Sequence, residues 1–138
     1  MEPITVIIET TKGSDFKCDY EPETGYMKLK KTMPMGSVFP FDFGFIPYTK
    51  GGDGDPLDVL IISELHLFVG CALDCRIIGA IKAEQKEKNS QVMRNDRLIG
   101  IPIVSSLYRN VQKLSDFPRK VLEEIELFFV NYNQQAGK

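Results

Sequence analysis

The stretch Gly51-Gly52-Asp53-Gly54-Asp55-Pro56-Leu57-Asp58 constrains this 138-residue chain more than any other. It sets three carboxylates within six residues, and its three glycines let the backbone take positive φ and approach a ligand closely. Pro56 stiffens the exit into Leu57–Ser63, an apolar run that reads as a strand buried on both faces. Asp58 then falls inside the strand, on the face of Leu60 and Ile62. A carboxylate on an apolar face is costly unless something pairs with it. A hard divalent cation would do so, and an all-oxygen donor set suits Mg²⁺. Taken alone, a glycine-rich acidic segment is also an ordinary solvated turn. An EF-hand loop does not fit, because Leu57 sits at a ligand position and Asp58 stands where the loop needs glycine.

Strand signals fill the first three quarters of the chain. Ile4–Thr10 is rich in β-branched residues. Asp15–Tyr20 alternates, with Phe16, Cys18 and Tyr20 on one face and Asp15, Lys17 and Asp19 on the other. Glu21–Gly25 is a turn, and Tyr26–Lys31 alternates again with Met27 and Leu29 inward, so a hairpin is expected. Ala72–Ala83 and Val92–Val104 read as further strands joined by the polar loop Glu84–Gln91. The aromatic-rich segment Phe41–Phe45 reads as a loop that packs on the core. Only the last segment has a helical period. Val121, Leu122, Ile125, Phe128, Phe129 and Tyr132 form one apolar stripe, with Ser115 or Asp116 as cap and Pro118 in the first turn. The expected fold is mainly β (α+β): an OB-like barrel, closed or partly open, with a C-terminal amphipathic helix. Its length fits one domain, residues 1–138.

Composition narrows the function. Net charge is −2, from 17 basic and 19 acidic residues, so nothing electrostatic favours nucleic acid or an anionic membrane as partner. The opening Met1-Glu2-Pro3 lacks the basic region of a secretory signal, and Val59–Ile62, the longest aliphatic run, is too short to span a bilayer. Three cysteines, Cys18, Cys71 and Cys75, fit no disulfide framework and no zinc spacing, in keeping with a reducing cytoplasm.

Asp53-Gly54-Asp55-Pro56-Leu57-Asp58-Val59-Leu60 resembles the D-G-D-P-x-D-V-L signature of the family I inorganic pyrophosphatases. Phe39-Pro40-Phe41-Asp42-Phe43-Gly44-Phe45-Ile46-Pro47 resembles the family's Y-P-x-x-Y-G-Y-I-P segment, with phenylalanine in place of tyrosine. Leu98–Pro102, and Ser115–Pro118 with the helix after it, resemble later family segments in the same order. The resemblance covers nearly the whole chain. It implies Mg²⁺-dependent hydrolysis of pyrophosphate to two phosphates, with two or more ions. It implies Asp53, Asp58 and Glu9 as metal ligands, with Asn95 at the position of a further ligand, and Asp55 as the carboxylate that helps deprotonate the attacking water. It implies Lys17, Lys31, Arg97 and Tyr132 as phosphate-binding residues. Partners are then pyrophosphate or phosphate and other copies of the chain, with no nucleic acid and no membrane.

The sequence also departs from the family pattern. Family tyrosines that donate to phosphate fall at Phe39 and Phe43, which keep the ring and lack the hydroxyl. A family arginine falls at Lys31, which keeps the charge without the bidentate fork. A family acid pair falls near Gln85 and Lys86, and a family aspartate falls at Asn95, one residue from Asp96. These changes leave two alternatives beside turnover of pyrophosphate. One is a protein that binds metal and phosphate without turnover. The other is a hydrolase of another phosphoanhydride, such as a nucleotide.

Overall fold

The computed structural model describes residues 2–49, 56–81, 84–86, 92–94 and 97–135, with backbone alone for 84–86, 92–94 and 129–135. Asp53, Asp55 and Asn95 lie outside the described residues, as does the side chain of Tyr132.

The strands are β1 Ile4–Thr10, β2 Phe16–Glu21, β3 Tyr26–Thr32, β4 Asp42–Ile46, β5 Leu57–Ile61, β6 Ala72–Ile81, β7 Glu84–Lys86, β8 Val92–Arg94 and β9 Arg97–Pro102. A 3₁₀ turn, Leu114–Asp116, precedes helix α1, Arg119–Gln135. Five strands close into a barrel in the order β1-β4-β5-β9-β6, while β2–β3 and β7–β8 form separate two-stranded ribbons. The β5–β9 pair is parallel and the other barrel pairs are antiparallel. Closure leaves these five strands without an exposed edge. This is the mainly β barrel with a terminal helix that the sequence predicts.

The pleat sends alternate residues of β5 to two cores. Leu60 and Ile62 pack with Ile99 and Ile101 of β9 and with Phe117 and Ile125 from the helical end. Val59 and Ile61 pack with Val6, Ile8 and Cys75. Full burial of a side chain of this size contributes about 1.5–3 kcal/mol, which is why a continuous apolar run makes a stable central strand. Ile125 is fully buried, so the apolar stripe of α1 docks on the first of these cores.

Four expectations need correction. The aromatic segment is partly a strand: β4 pairs with both β1 and β5. Gly44 in its middle lowers β-propensity, but a Cβ there would lie 2.5 Å from the Ile7 carbonyl oxygen, so the close β1–β4 approach requires glycine. Val92–Val104 is not one strand, since β8 and β9 pair with different partners. Leu29 is 61% exposed, not inward, because β2 lies against β1 while β3 pairs with β2 and that part of β3 covers no core. Asp116 caps the 3₁₀ turn instead of α1, its carboxylate accepting from the Gln112 and Lys113 N–H groups at 2.9 and 3.3 Å.

Candidate active site

Asp58 is the carboxylate-bearing residue of β5. It is half-buried and lines two adjoining cavities. Its backbone partners are Phe45 on β4 and Arg97 on β9. The parallel β5–β9 register thus sets a guanidinium-bearing residue beside the carboxylate-bearing one. Arg97 is 8% exposed and lines the inner cavity, whose volume is about 60 Å³. The outer cleft, about 520 Å³, lies toward the β2–β3 turn.

Glu9 lines both cavities and reaches them through a bulge. Ile8 pairs with Gly44 and Thr10 with Phe43, so Glu9 is the extra residue between them. A bulge re-aims one side chain without breaking the strand, and such features recur beside functional sites. The Glu9 carboxylate accepts the Tyr20 N–H at 2.8 Å, which ties β1 to β2. Burial pushes the Glu9 carboxyl up to about 7, assisted by the negative charges of Asp19 and Asp58 and opposed by the Tyr20 hydrogen bond and the Lys17 charge.

Lys17 and Asp19 sit on the charged face of β2 and line both cavities, with Lys17 Nζ 3.6 Å from Asp19 Oδ1. Asp19 is a site residue that the motif comparison missed. Its signal was present in the strict alternation of β2, which puts it on the face of Lys17. Lys31 is the register partner of Lys17 across the ribbon and is exposed; it is not among the described residues lining the cavities. Among the described residues, then, Glu9, Lys17, Asp58 and Arg97 come together, and Asp19 joins them.

Three phenylalanines close the inner cavity. Phe39 and Phe43 meet edge to face with centroids 5.2 Å apart, and Phe128 of α1 lies 6.1 Å from each. This is how the helix docks over the site, and it gives the charged cluster an apolar wall on one side. Carboxylate oxygens are the donors a hard divalent cation takes, and a bound cation would favour the ionised Glu9 carboxylate that burial disfavours. No group of three or more His, Cys, Asp or Glu side chains among the described residues is close enough to hold a metal by itself. No helix among the described residues is long and apolar enough to cross a membrane.

Comparisons with known proteins bear on the family and the fold. The sequence model of the family described as inorganic pyrophosphatase matches residues 6–138. The chain is 34% identical to the inorganic pyrophosphatase of Thermus thermophilus over 137 residues, which are 99% of this chain and 75% of that protein. It is 32% identical to soluble inorganic pyrophosphatase 5 of Arabidopsis thaliana, covering 96% of this chain and 59% of the relative. Among solved structures, the inorganic pyrophosphatase from Coxiella burnetii superposes with a TM-score of 0.87 at 29% identity, over 96% of this chain and 78% of that one. The barrel, the Asp58 cleft and these likenesses lead to one conclusion: the chain belongs to the inorganic pyrophosphatase family.

Proposed function

We propose that the protein hydrolyses inorganic pyrophosphate to two phosphates in a Mg²⁺-dependent reaction at the Asp58 cleft. The observation that carries this reading is the convergence of Glu9, Asp19 and Asp58 with Lys17 and Arg97 on one cleft. An acidic site of this kind repels a polyanion until cations fill it, whereas its two basic residues attract phosphate. In this reading Asp53, Asp58, Glu9 and Asn95 hold two or more Mg²⁺ ions. Bound, these ions supply Lewis acidity and offset charge on the substrate and leaving group. Asp55 takes the proton of the attacking water. Lys17, Lys31, Arg97 and Tyr132 bind and orient the phosphoryl groups. Water attacks one phosphorus, the bridging P–O bond breaks, and two phosphates leave.

Residues 1–138 act as one domain in this reading. A cytoplasmic location fits three free thiols. Self-association fits exposed Ile103, Val104 and Leu107, which are 44%, 73% and 67% exposed. Phosphate release from pyrophosphate, with and without Mg²⁺ and beside a nucleoside triphosphate, tests the proposal. Metal-dependent release that favours pyrophosphate is expected. Preference for the nucleotide, or no release from folded protein, would overturn it.

A further inference from the structure

Glu9 and Lys17 line one cleft although their strands are not ladder partners: β1 pairs with β4 and β6, whereas β2 pairs with β3. Side chains tie β1 to β2. Thr10 Oγ1 donates to the Cys18 carbonyl at 3.4 Å and accepts the Cys18 N–H at 3.2 Å, and Glu9 accepts the Tyr20 N–H. The connection itself, residues 11–15, sets the rest. Its turn closes through the Ser14 N–H, which donates to the Thr11 carbonyl at 3.1 Å. The turn is also held from outside. Gly13, at a φ of 85°, donates to the Phe39 carbonyl at 2.6 Å, and the Phe39 N–H donates back to the Ser14 carbonyl at 3.0 Å. The Lys12 N–H donates to Asp42 Oδ1 at 2.8 Å, and the Lys12 ammonium donates to the Ser63 carbonyl at 2.8 Å.

Asp42 opens β4 opposite Ile61 and is 1% exposed. Burial pushes its carboxyl above the ordinary range, opposed by the Lys12 N–H and by the charges of Lys12 and His66. A buried carboxylate costs free energy that an apolar side chain in its place would not. Asp42 contributes geometry instead: one oxygen fixes the backbone of the turn. The next residue, Phe43, points to the other face of β4, pairs with Thr10 and lines the inner cavity. One strand thus supplies a wall of the cavity and an anchor for the turn that leads from Glu9 to Lys17. We propose that Asp42 is a positioning residue of this site: through the Lys12 N–H its Oδ1 fixes the β1–β2 turn, and the turn fixes where Lys17 stands relative to Glu9. Asp42 acts through Lys17 and not on substrate. This rests on the cleft being the phosphate-binding site proposed above. Once the turn is released, Lys17 drifts from its place, and a misplacement of about 1 Å can cost about a hundredfold in rate.

The test is a double-mutant cycle on the affinity for inorganic phosphate in Mg²⁺, read by calorimetry at a temperature where unfolding midpoints show every variant folded. Asp42→Ala is expected to weaken binding at least about fivefold, because a hydrogen bond to a charged group is worth about tenfold or more. In a Lys17→Met background the same substitution should change affinity by less than about twofold, since the group it acts through is gone. Asp42→Asn keeps the acceptor toward Lys12 and should hold affinity within about twofold of wild type. If Asp42→Ala does not fold, Asp42→Ser, with a shorter side chain that leaves room for water, takes its place in the cycle. Unchanged affinity in Asp42→Ala, an equal loss in both backgrounds, or a loss in Asp42→Asn that matches Asp42→Ala overturns the inference. Phosphate release from pyrophosphate by wild type separates it from the reading beneath. If none is released but the cycle still couples Asp42 to Lys17, the enzyme reading fails and the clamp stands. If release occurs and the cycle shows no coupling, the clamp alone fails. If wild type neither binds phosphate in Mg²⁺ nor releases it from pyrophosphate, both fail.

Discussion

Replacing Glu9 with glutamine gives the sharpest view of the site's electrostatics. The Glu9 carboxyl rises from its ordinary 4.5 to about 7 in the metal-free fold, chiefly through burial. The folded state therefore binds the proton more tightly than the unfolded chain between those two values. Stability falls as pH rises through that window and stays lowered above it. Each pH unit of the interval is worth about 1.4 kcal/mol, which sets a ceiling of about 3 kcal/mol. Partial exposure brings the expected value to about 2 kcal/mol. Glutamine resembles the protonated acid and still accepts the Tyr20 N–H. In chelator, Glu9→Gln should match wild type near pH 4 and exceed it by about 2 kcal/mol at pH 8.5, read from urea unfolding. Adding Mg²⁺ at pH 8.5 should close the gap by stabilising wild type more. A Glu9→Gln variant that is equally or less stable than wild type at pH 8.5 in chelator refutes the reasoning.

Two further perturbations probe the frame around the site. Gly44→Ala drives a Cβ to 2.5 Å from the Ile7 carbonyl and 2.7 Å from a Val6 methyl, so β1 and β4 must part. We expect a loss of about 2–4 kcal/mol in denaturant unfolding, and a loss within about 0.5 kcal/mol would contradict the close approach. Glu64 is held down to about 2 because its carboxylate accepts from the Ser105 hydroxyl and from the Ser106 and Leu107 N–H groups at 2.6, 2.8 and 3.3 Å. Its lowered pKa contributes stability above about 4.5 that is lost as pH falls toward about 2. The melting temperature of Glu64→Gln should therefore vary less across that acid range than that of wild type.

The sequence made the fold legible where one period ruled a segment. β2 alternates strictly, α1 repeats every three to four residues, and β5 is apolar apart from Asp58, so each was readable alone. β4 was obscured because Gly44 and its aromatic neighbours mimic a loop; the need for glycine there arises from β1, some 35 residues earlier in the chain. Leu29 misled because its own alternation promises an inward face, while its burial depends on β3 pairing with β2 beyond the barrel strands. In the site, Asp58 announced itself as a carboxylate on an apolar strand. Glu9 and Lys17 were named through the resemblance, and their meeting depends on a bulge that local pattern does not encode. Asp19 was visible in the alternation and lacked only a reason to be chosen. The pairing of Asp58 with Arg97 depends on the parallel register of β5 and β9, which are separated by three other strands in sequence.

The most direct test of the central claim is Asp58→Asn in a phosphate-release assay with pyrophosphate and Mg²⁺, beside a check of its unfolding midpoint. The substitution keeps the size and β5 packing of Asp58 and removes its charge from the cleft. The account predicts a folded barrel whose kcat/KM falls by at least about a hundredfold, the scale for losing an electrostatic contact made in the transition state. A folded Asp58→Asn protein that releases phosphate at the wild-type rate would contradict it and move the chemistry away from this cleft.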